Sequence, residues 1–174
     1  MNPVKIIGGG LAGSEAAWQI SRTGHDVELF EMRPGKFSGA HRTAGLGELV
    51  CSNSLKSLRT DRAAGVLKEE MRLGGSLIIE SALKAAIPGG SSLCVDRVHF
   101  SREITEAIER SRNIRVIREE IAEIPPGGIV VVATGPLTSD TFSSVLQDLI
   151  GHDSLFFYDA IAPTVDADSI DMEE

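Results

Sequence analysis

Short apolar runs alternate with helical patterns along the chain. Val4–Ile7 and Val27–Phe30 predict two strands, and apolar residues spaced four apart between residues 12 and 20 predict a helix between them. The glycine-rich segment Gly8–Gly13 predicts a turn that joins the first strand to this helix. A strand, a glycine turn, a helix and a second strand within about 30 residues are typical of a right-handed parallel crossover. The pattern therefore predicts an α/β fold with a Rossmann-like parallel sheet.

A segment from about residue 33 to residue 90 interrupts this crossover as a predicted helical insertion. Residues 35–54 are polar and rich in glycine, which predicts a loop. Two helices are predicted after it, at Ala63–Arg72 and Leu77–Ala86. Ser76 is the predicted N-cap of the second helix, and Pro88-Gly89-Gly90 ends it.

The rest of the chain returns to the alternation of strand and helix. Strands are predicted at Ser92–Val95 and Ile114–Arg118, with a helix between them that Ser101 caps and that runs to Arg110. The continuous apolar run Ile129–Ala133 predicts a strand buried on both faces. Apolar residues at helical spacing from residue 142 to residue 150 predict a last helix, closed by Gly151.

Composition and charge narrow the possible functions. The chain has 174 residues, of which 42% are hydrophobic, so it can bury a core and is expected to form one domain. Its formal net charge of -8 excludes a protein that is basic over its whole surface and binds nucleic acid that way. Residues 33–72, with eight basic and four acidic side chains, are the only positive stretch. A polyanionic partner would therefore have to meet a local patch.

The two cysteines, Cys51 and Cys94, are 43 residues apart and form no CxxC pair. This spacing favours neither a disulfide scaffold nor a zinc site, so no metal is predicted and a reducing compartment is expected. The N-terminal apolar run is broken by glycines and resembles neither a secretory signal nor a membrane span. We therefore expect a soluble, cytoplasmic protein without a membrane partner.

The first chemical motif fits the dinucleotide-binding pattern GxGxxG, with the sequence Gly8-Gly9-Gly10-Leu11-Ala12-Gly13. The three glycines permit a tight turn, close approach of a pyrophosphate and close packing of helix on strand, and the helix N-terminus attracts phosphate. Glu31 lies 18 residues after Gly13 at the end of the second strand, where a carboxylate can accept hydrogen bonds from ribose hydroxyls. The alternatives are an ordinary glycine turn and a solvated carboxylate. A free 2′-hydroxyl, as in FAD or NAD, suits Glu31, whereas the 2′-phosphate of NADP would be repelled.

The second motif is an apolar strand that ends in the small-residue turn Ala133-Thr134-Gly135. Gly135 allows the backbone to approach a cofactor closely, although an ordinary strand-to-helix turn has the same composition. Together with GxGxxG, this turn resembles the second nucleotide-site segment of glutathione-reductase-like flavoproteins. The resemblance favours FAD over NAD as the cofactor.

The third motif surrounds Cys51. Ser52, Asn53 and Ser54 are all good N-caps, so a short helix is predicted from about Leu55, with Cys51 just outside its positive end. The helix dipole and the cations that follow favour a thiolate, which is a competent nucleophile. The alternative is a small buried hydrophobic residue, and Cys94 is predicted to be one.

Several segments together resemble the bacterial folate- and FAD-dependent tRNA (uracil-5-)-methyltransferases. GGGLAG and ATG are shared with many flavoproteins, whereas ELVCSNSL and DAIAP are far more specific. The flavoproteins of the glucose-inhibited-division A type, which modify wobble uridine, are the relatives most easily confused with this family. The matching segments are Gly8–Glu15, Glu31–Pro34, Ala40–His41, Glu48–Leu55, Leu67–Arg72, Val95–Arg97, Ala133–Ser139 and Asp159–Pro163.

The resemblance implies an enzyme that methylates the T-loop uracil of tRNA at C5. It implies methylenetetrahydrofolate as the one-carbon donor, FAD as the bound cofactor and NAD(P)H as the external reductant. Uracil C5 becomes nucleophilic once a thiolate has added at C6. The resemblance gives Cys51 a place in this chemistry, either as that nucleophile or in managing protons near the flavin.

The resemblance also implies a set of site residues and a limit. Family members are far longer, so residues 1–174 are expected to be the N-terminal portion of an FAD-binding domain, without the folate- and tRNA-binding remainder and impaired or inactive alone. A small-molecule FAD oxidoreductase and a non-catalytic FAD-binding fragment remain alternatives. The predicted residues are Cys51 for catalysis, Gly8, Gly9, Gly10, Leu11, Ala12, Gly13, Glu31, Arg33, Thr134 and Gly135 for the cofactor, and His41 and Asn53 for the substrate.

Overall fold

The computed structural model describes residues 2–151, so the DAIAP segment at Asp159–Pro163 lies outside the described residues. This part of the chain folds into a mixture of strands and helices, in which two strands or two helices sometimes follow one another directly. A short 3-10 helix at Gly135–Leu137 precedes the last α-helix. In chain order the elements are β1 (Val4–Ile7), α1 (Leu11–Arg22), β2 (Val27–Phe30), β3 (Ser54–Ser57), α2 (Ala63–Leu73), α3 (Leu77–Lys84), β4 (Ala86–Ile87), β5 (Ser92–Val95), α4 (Arg97–Arg110), β6 (Ile114–Ile117), β7 (Val130–Val132) and α5 (Asp140–Ile150).

A parallel sheet of four strands in the order β6-β2-β1-β7 forms the main layer. Val4 of β1 pairs with Val27 of β2, and Ile6 of β1 pairs with Val131 of β7. Both strands predicted at the start of the chain have the predicted bounds, and their residues Ile6, Val27 and Leu29 are buried in the hydrophobic core. The Rossmann-like α/β fold predicted from the sequence is confirmed.

A second sheet lies within the crossover from β2 to β6. It is antiparallel, in the order β3-β5-β4, and Ser54 of β3 pairs with Cys94 of β5. The predicted strand Ser92–Val95 is therefore present, but it belongs to this sheet rather than to the parallel one. Cys94 is only half-buried there. Ser76 caps α3 as predicted, since its side chain accepts a hydrogen bond from the Ile79 N–H.

Two local predictions are wrong. Helix α4 begins at Arg97 with Asp96 as its cap, because the Asp96 carboxylate accepts from the His99 N–H at 2.8 Å, and Ser101 is buried inside the helix. Strand β7 lies at an edge of the sheet in the described chain, none of its three residues is fully buried, and Ile129 just before it is 65% exposed. The last helix, α5, ends at Gly151 as predicted. Its apolar face is covered only at its start: Phe142 is buried and Leu149 is 66% exposed.

One hydrophobic core joins the parallel sheet to the helices of the crossover. Ile6 and Leu29 of the sheet pack in the same cluster as Leu77 of α3 and Phe100 of α4. Glu15 of α1 adds a polar tie, since its carboxylate accepts from the Ser76 hydroxyl and the Ile78 N–H at the N-terminus of α3. None of the helices in residues 2–151 is long and apolar enough to span a membrane.

Candidate dinucleotide-binding site

The glycine turn after β1 is packed so tightly that two of its positions have no room for a side chain. Gly8 has φ +105°, and a Cβ built on it would lie 2.7 Å from the Ala133 carbonyl oxygen at the end of β7. A Cβ on Gly13 would overlap the carbonyl oxygen of Gly8. These contacts hold the N-terminus of α1 against the carboxyl ends of β1 and β7.

Gly10 differs from its neighbours because the position that a Cβ would occupy lies in open space. No heavy atom lies within 4 Å of the position that its Cβ would occupy. Gly10 is also the N-cap of α1; no side chain caps this end, and its first turn holds no acidic residue. The unpaired N–H groups and the positive end of the helix dipole therefore face a space that suits a diphosphate.

A cleft along the carboxyl edge of the parallel sheet gathers most of the predicted cofactor residues. Its enclosed volume is about 80 Å³, below the roughly 300 to 1,000 Å³ of typical ligand sites. A dinucleotide would therefore lie largely along the open edge. The predicted residues that line the cleft are Gly8, Gly9, Gly10, Glu31, Arg33, His41 and Thr134; those that do not are Leu11, Ala12, Gly13 and Gly135.

Glu31 is buried at the end of β2 and accepts four hydrogen bonds from the chain itself. One carboxylate oxygen accepts from the Gly9 N–H at 2.9 Å and from Arg33 Nη2 at 3.1 Å. The other accepts from the Arg33 backbone N–H at 3.0 Å and from Arg33 Nε at 2.8 Å. A carboxylate has about four lone-pair sites. A ribose hydroxyl can bond Glu31 only where one of these donors yields.

Arg33 is 1% exposed and, through Glu31, links the glycine turn to the loop at residues 42–48 of the inserted segment. Its Nη1 donates to the Glu48 carboxylate at 2.7 Å and to the Thr43 carbonyl at 3.2 Å. Glu48 in turn accepts from the Arg42 N–H at 3.0 Å. The resemblance assigned Arg33 to the cofactor, and the structure gives all three of its nitrogens partners within the chain.

Two residues that the sequence analysis did not single out complete this region. The Glu48 carboxylate closes the loop over residues 42–48, and Arg118 Nη1 donates to the Ala44 carbonyl at 2.7 Å. Gly47 adds a backbone bond to the Gly9 carbonyl. No spacing rule reveals such pairs, because the partners are brought together by the crossover. The only available signal was Glu48 at the start of the specific segment ELVCSNSL.

The buried ion pair predicts a pH dependence of stability. Burial alone would raise the pKa of Glu31, but the hydrogen bonds from Arg33, its positive charge and the Gly9 N–H lower it below the ordinary value of about 4.5. A carboxyl whose pKa is lowered by folding stabilises the protein above its unfolded pKa, and that contribution is lost as the pH falls through the folded pKa. The free energy of unfolding is therefore expected to fall as the pH drops below about 4.5.

Urea unfolding at a series of pH values from 7 down to the acid limit tests this expectation. In Glu31→Gln the decline below pH 4.5 should be shallower than in the wild type. Glu123→Gln, which removes the same charge from an exposed position, is the control and should keep the wild-type decline. Parallel curves for the wild type and Glu31→Gln would contradict the assignment.

His41 and Thr134 both line the cleft. His41 Nδ1 lies 2.7 Å from the Ser38 hydroxyl. Burial, followed by the positive charge of Arg33, lowers the pKa of His41 below its ordinary value, so the imidazole is neutral at pH 7. The Thr134 hydroxyl accepts from the Thr138 hydroxyl at 2.6 Å. A neutral imidazole and a hydroxyl are suited to hydrogen bonds with a polar ring or a ribose.

The helix predicted near Leu55 is wrong. Ser54–Ser57 is strand β3, paired with β5, and Leu55 of this strand packs against the hydrophobic core. The helix dipole that the sequence offered to Cys51 is therefore absent. Cys51 is exposed and does not line the cleft. Asn53 is half-buried and bonded to β5, since its carbonyl accepts from the Val95 N–H at 2.9 Å.

The fold and the glycine turn define a class of protein, the Rossmann-like dinucleotide-binding proteins. Residues 3–174 match the model of one family within it, described as glucose inhibited division protein A. The chain belongs to this family. Residues 2–151 contain no group of three or more histidine, cysteine or acidic side chains that could hold a metal ion.

Two curated relatives are similar over nearly the whole chain. The methylenetetrahydrofolate–tRNA-(uracil-5-)-methyltransferase TrmFO of Persephonella marina is 55% identical over 100% of this chain and 40% of its own length. The enzyme of the same name from Aquifex aeolicus is 56% identical over 98% of this chain and 38% of its own length. The chain thus spans about 40% of the curated relatives it matches.

A solved structure shares the fold at much lower identity. Aquifex aeolicus GidA, in its form II crystal, superposes with a TM-score of 0.61 at 19% identity, over 77% of this chain and 25% of that one. At this identity the similarity shows the fold alone. The fold is therefore shared with a wider group of proteins, whereas the similarity in sequence to the TrmFO enzymes extends over nearly the whole of this chain.

Proposed function

We propose that this chain is the FAD-binding part of a methylenetetrahydrofolate-dependent tRNA (uracil-5-)-methyltransferase. Identities of 51–56% with eight relatives that carry this name support the assignment. They favour it over a wobble-uridine-modifying flavoprotein, because the GidA structure of the same fold is only 19% identical. The observation that carries the cofactor part is the open space at Gly10, in front of the uncapped N-terminus of α1.

The residues of the cleft would divide the binding of FAD between them. The N–H groups at the start of α1 would bind the diphosphate, which needs the space at Gly10. Glu31 accepts a hydrogen bond from the Gly9 N–H. It would accept a hydrogen bond from a ribose hydroxyl in exchange for one of its present donors. Thr134 and His41 would face the remainder of the cofactor in the cleft.

When bound, FAD would supply the hydride that completes the methyl group, with NAD(P)H as the external reductant. The contribution of this chain beyond binding would come from Cys51. Its exposure leaves the sulfur accessible to a uracil base of a bound RNA, whose C6 it would attack to make C5 nucleophilic. The alternative role for Cys51, proton transfer near the flavin, needs the same accessibility.

A titration with FAD tests the cofactor site. The wild-type chain is expected to quench flavin fluorescence on binding, and Gly10→Ala is expected to raise the dissociation constant at least about tenfold, since its methyl group takes the space of the diphosphate. Gly39→Ala is the matched control, because Gly39 also has nothing within 4 Å but lies outside the glycine turn. Equal affinities of all three proteins would contradict the proposal.

A methyl-transfer assay separates the enzyme from the other flavoprotein functions. The chain is supplied with FAD, NADPH, labelled methylenetetrahydrofolate and a tRNA transcript, and the label in RNA is measured. A small-molecule oxidoreductase would oxidise NADPH without RNA, and a non-catalytic fragment would bind FAD with no turnover. Methyl transfer at a rate that Cys51→Ser does not reduce would contradict the role of Cys51.

A further inference from the structure

A second cleft lies between residues 40–50 of the inserted segment and helix α4. Its volume is about 480 Å³. Leu49, Val50 and Val98 give it an apolar wall, and Val98 is 74% exposed although it is a β-branched apolar residue on the first turn of a helix. A cleft of this size with an exposed apolar wall is suited to a flat ring.

Three arginines, Arg42, Arg97 and Arg102, surround this apolar wall. Among the described residues none of their side chains forms a hydrogen bond or an ion pair. The two carboxylates that also line the cleft are already paired, Glu48 with Arg33 and Glu106 with Arg110. Within residues 2–151 the cleft therefore presents positive charge that no acidic side chain pairs with, on a chain whose net charge is -8.

The inserted loop connects this arginine cleft to both groups that the proposed chemistry uses. Ala40 lines the arginine cleft, and the next residue, His41, lines the candidate dinucleotide cleft. Val50 lines the arginine cleft, and the next residue is the exposed Cys51. A ligand in the arginine cleft would therefore pass close to the sulfur and to the edge of the cofactor site.

We propose that the arginine cleft binds the single-stranded RNA next to the reacting uracil, with an unstacked base on the apolar wall and the flanking phosphates on the arginines. This inference rests on the proposed function, because it places the RNA beside Cys51. A uracil in a folded loop must leave its stack before C6 can be attacked, so its neighbours need a binding surface as well. Guanidinium groups stack on bases and bind phosphate in a bidentate manner, and apolar side chains accept the faces of bases.

Salt-dependent binding of an RNA hairpin with the T-arm sequence tests this inference. Each phosphate contact on single-stranded nucleic acid contributes about 0.7 to the slope of log Kd against log salt. Arg97→Gln with Arg102→Gln is expected to lower that slope by about 1.4 and to weaken binding most at low salt. Arg112→Gln with Arg115→Gln, which removes two exposed arginines outside the cleft, should leave the slope unchanged.

Each outcome decides the inference. An equal slope in both double variants, or no RNA binding by the wild-type chain, overturns it. Release of the RNA by tetrahydrofolate triglutamate in the wild type but not in Arg97→Gln with Arg102→Gln also overturns it, because the arginines would then bind the folate tail. FAD titrations on the same proteins distinguish failure of this inference from failure of the proposed function. If FAD binds and the salt slope is unchanged in the Arg97→Gln, Arg102→Gln variant, only this inference is overturned. If the wild-type chain does not bind FAD, the proposed function is overturned.

Discussion

Replacing Arg33 by methionine is expected to lower the free energy of unfolding by about 3–5 kcal/mol. The substitution keeps an unbranched apolar side chain of similar length but leaves the buried Glu31 carboxylate without its cation. It also removes the bonds that tie Glu48 and the Thr43 carbonyl to the end of β2. Unfolding in urea at pH 7, monitored by circular dichroism, measures the loss.

The same substitution at an exposed pair provides the control for Arg33→Met. Arg72 and Glu69 also form a two-pronged ion pair at 2.7 Å, but both side chains are largely exposed on α2. Arg72→Met is expected to cost about 0–1 kcal/mol, because water solvates the remaining carboxylate. A double variant, Arg33→Met with Glu31→Gln, should recover part of the stability. A loss at Arg33 no larger than that at Arg72 would show that burial of this pair is unimportant.

Substituting alanine for Gly13 is expected to destabilise the fold by about 3 kcal/mol or more. Its Cβ would overlap the Gly8 carbonyl oxygen, which is a backbone atom and cannot rotate away. The clash is relieved only if α1 moves away from β1. Because α1 packs in the common core through Ala17 and its neighbours, that shift would disturb the packing well beyond the turn. Thermal or urea unfolding of the purified variant gives the magnitude.

Gly10→Ala is the comparison for Gly13→Ala within the same glycine motif. Gly10 has φ −73°, which alanine adopts readily, and nothing lies within 4 Å of its Cβ position. The change in stability is therefore expected to stay within about 1 kcal/mol, while the proposed FAD binding is expected to weaken at least about tenfold. If Gly13→Ala unfolds at the same urea concentration as Gly10→Ala, the close packing of α1 on the turn is not what Gly13 provides.

The strands of the parallel sheet were predictable because their signal is local. Val4–Ile7 and Val27–Phe30 are short apolar runs bounded by turn residues, and the structure keeps their predicted bounds. The errors arose where two local preferences competed. Ser52, Asn53 and Ser54 are good helix caps, but pairing with β5 and packing on the second sheet outweigh the weak preference for a short helix.

Part of the candidate site was likewise predictable from local sequence, and part of it was not. The glycine spacing alone predicted a tight turn and close packing at the start of α1, and the structure shows both, because they depend on nearby residues. The saturation of Glu31 by Arg33 and Gly9 was not predictable, although all three residues were singled out. A sequence does not show which partner a buried carboxylate chooses, since ligand and protein donors compete for the same lone pairs.

The amino-acid sequence by itself determined the Rossmann-like fold, the glycine turn and the family resemblance, since each depends on spacing along a continuous segment. Only the tertiary structure decided that Arg33 joins Glu31 to Glu48, that Cys51 lies outside the cofactor cleft, and that Arg42 meets Arg97 and Arg102 around an apolar wall. The position of Cys51 depended on whether the segment after it formed a strand or a helix. Arg42 and Arg97 are tens of residues apart in the sequence. Their proximity follows from how the inserted segment folds back onto α4, which is set by packing of the whole core rather than by any local pattern.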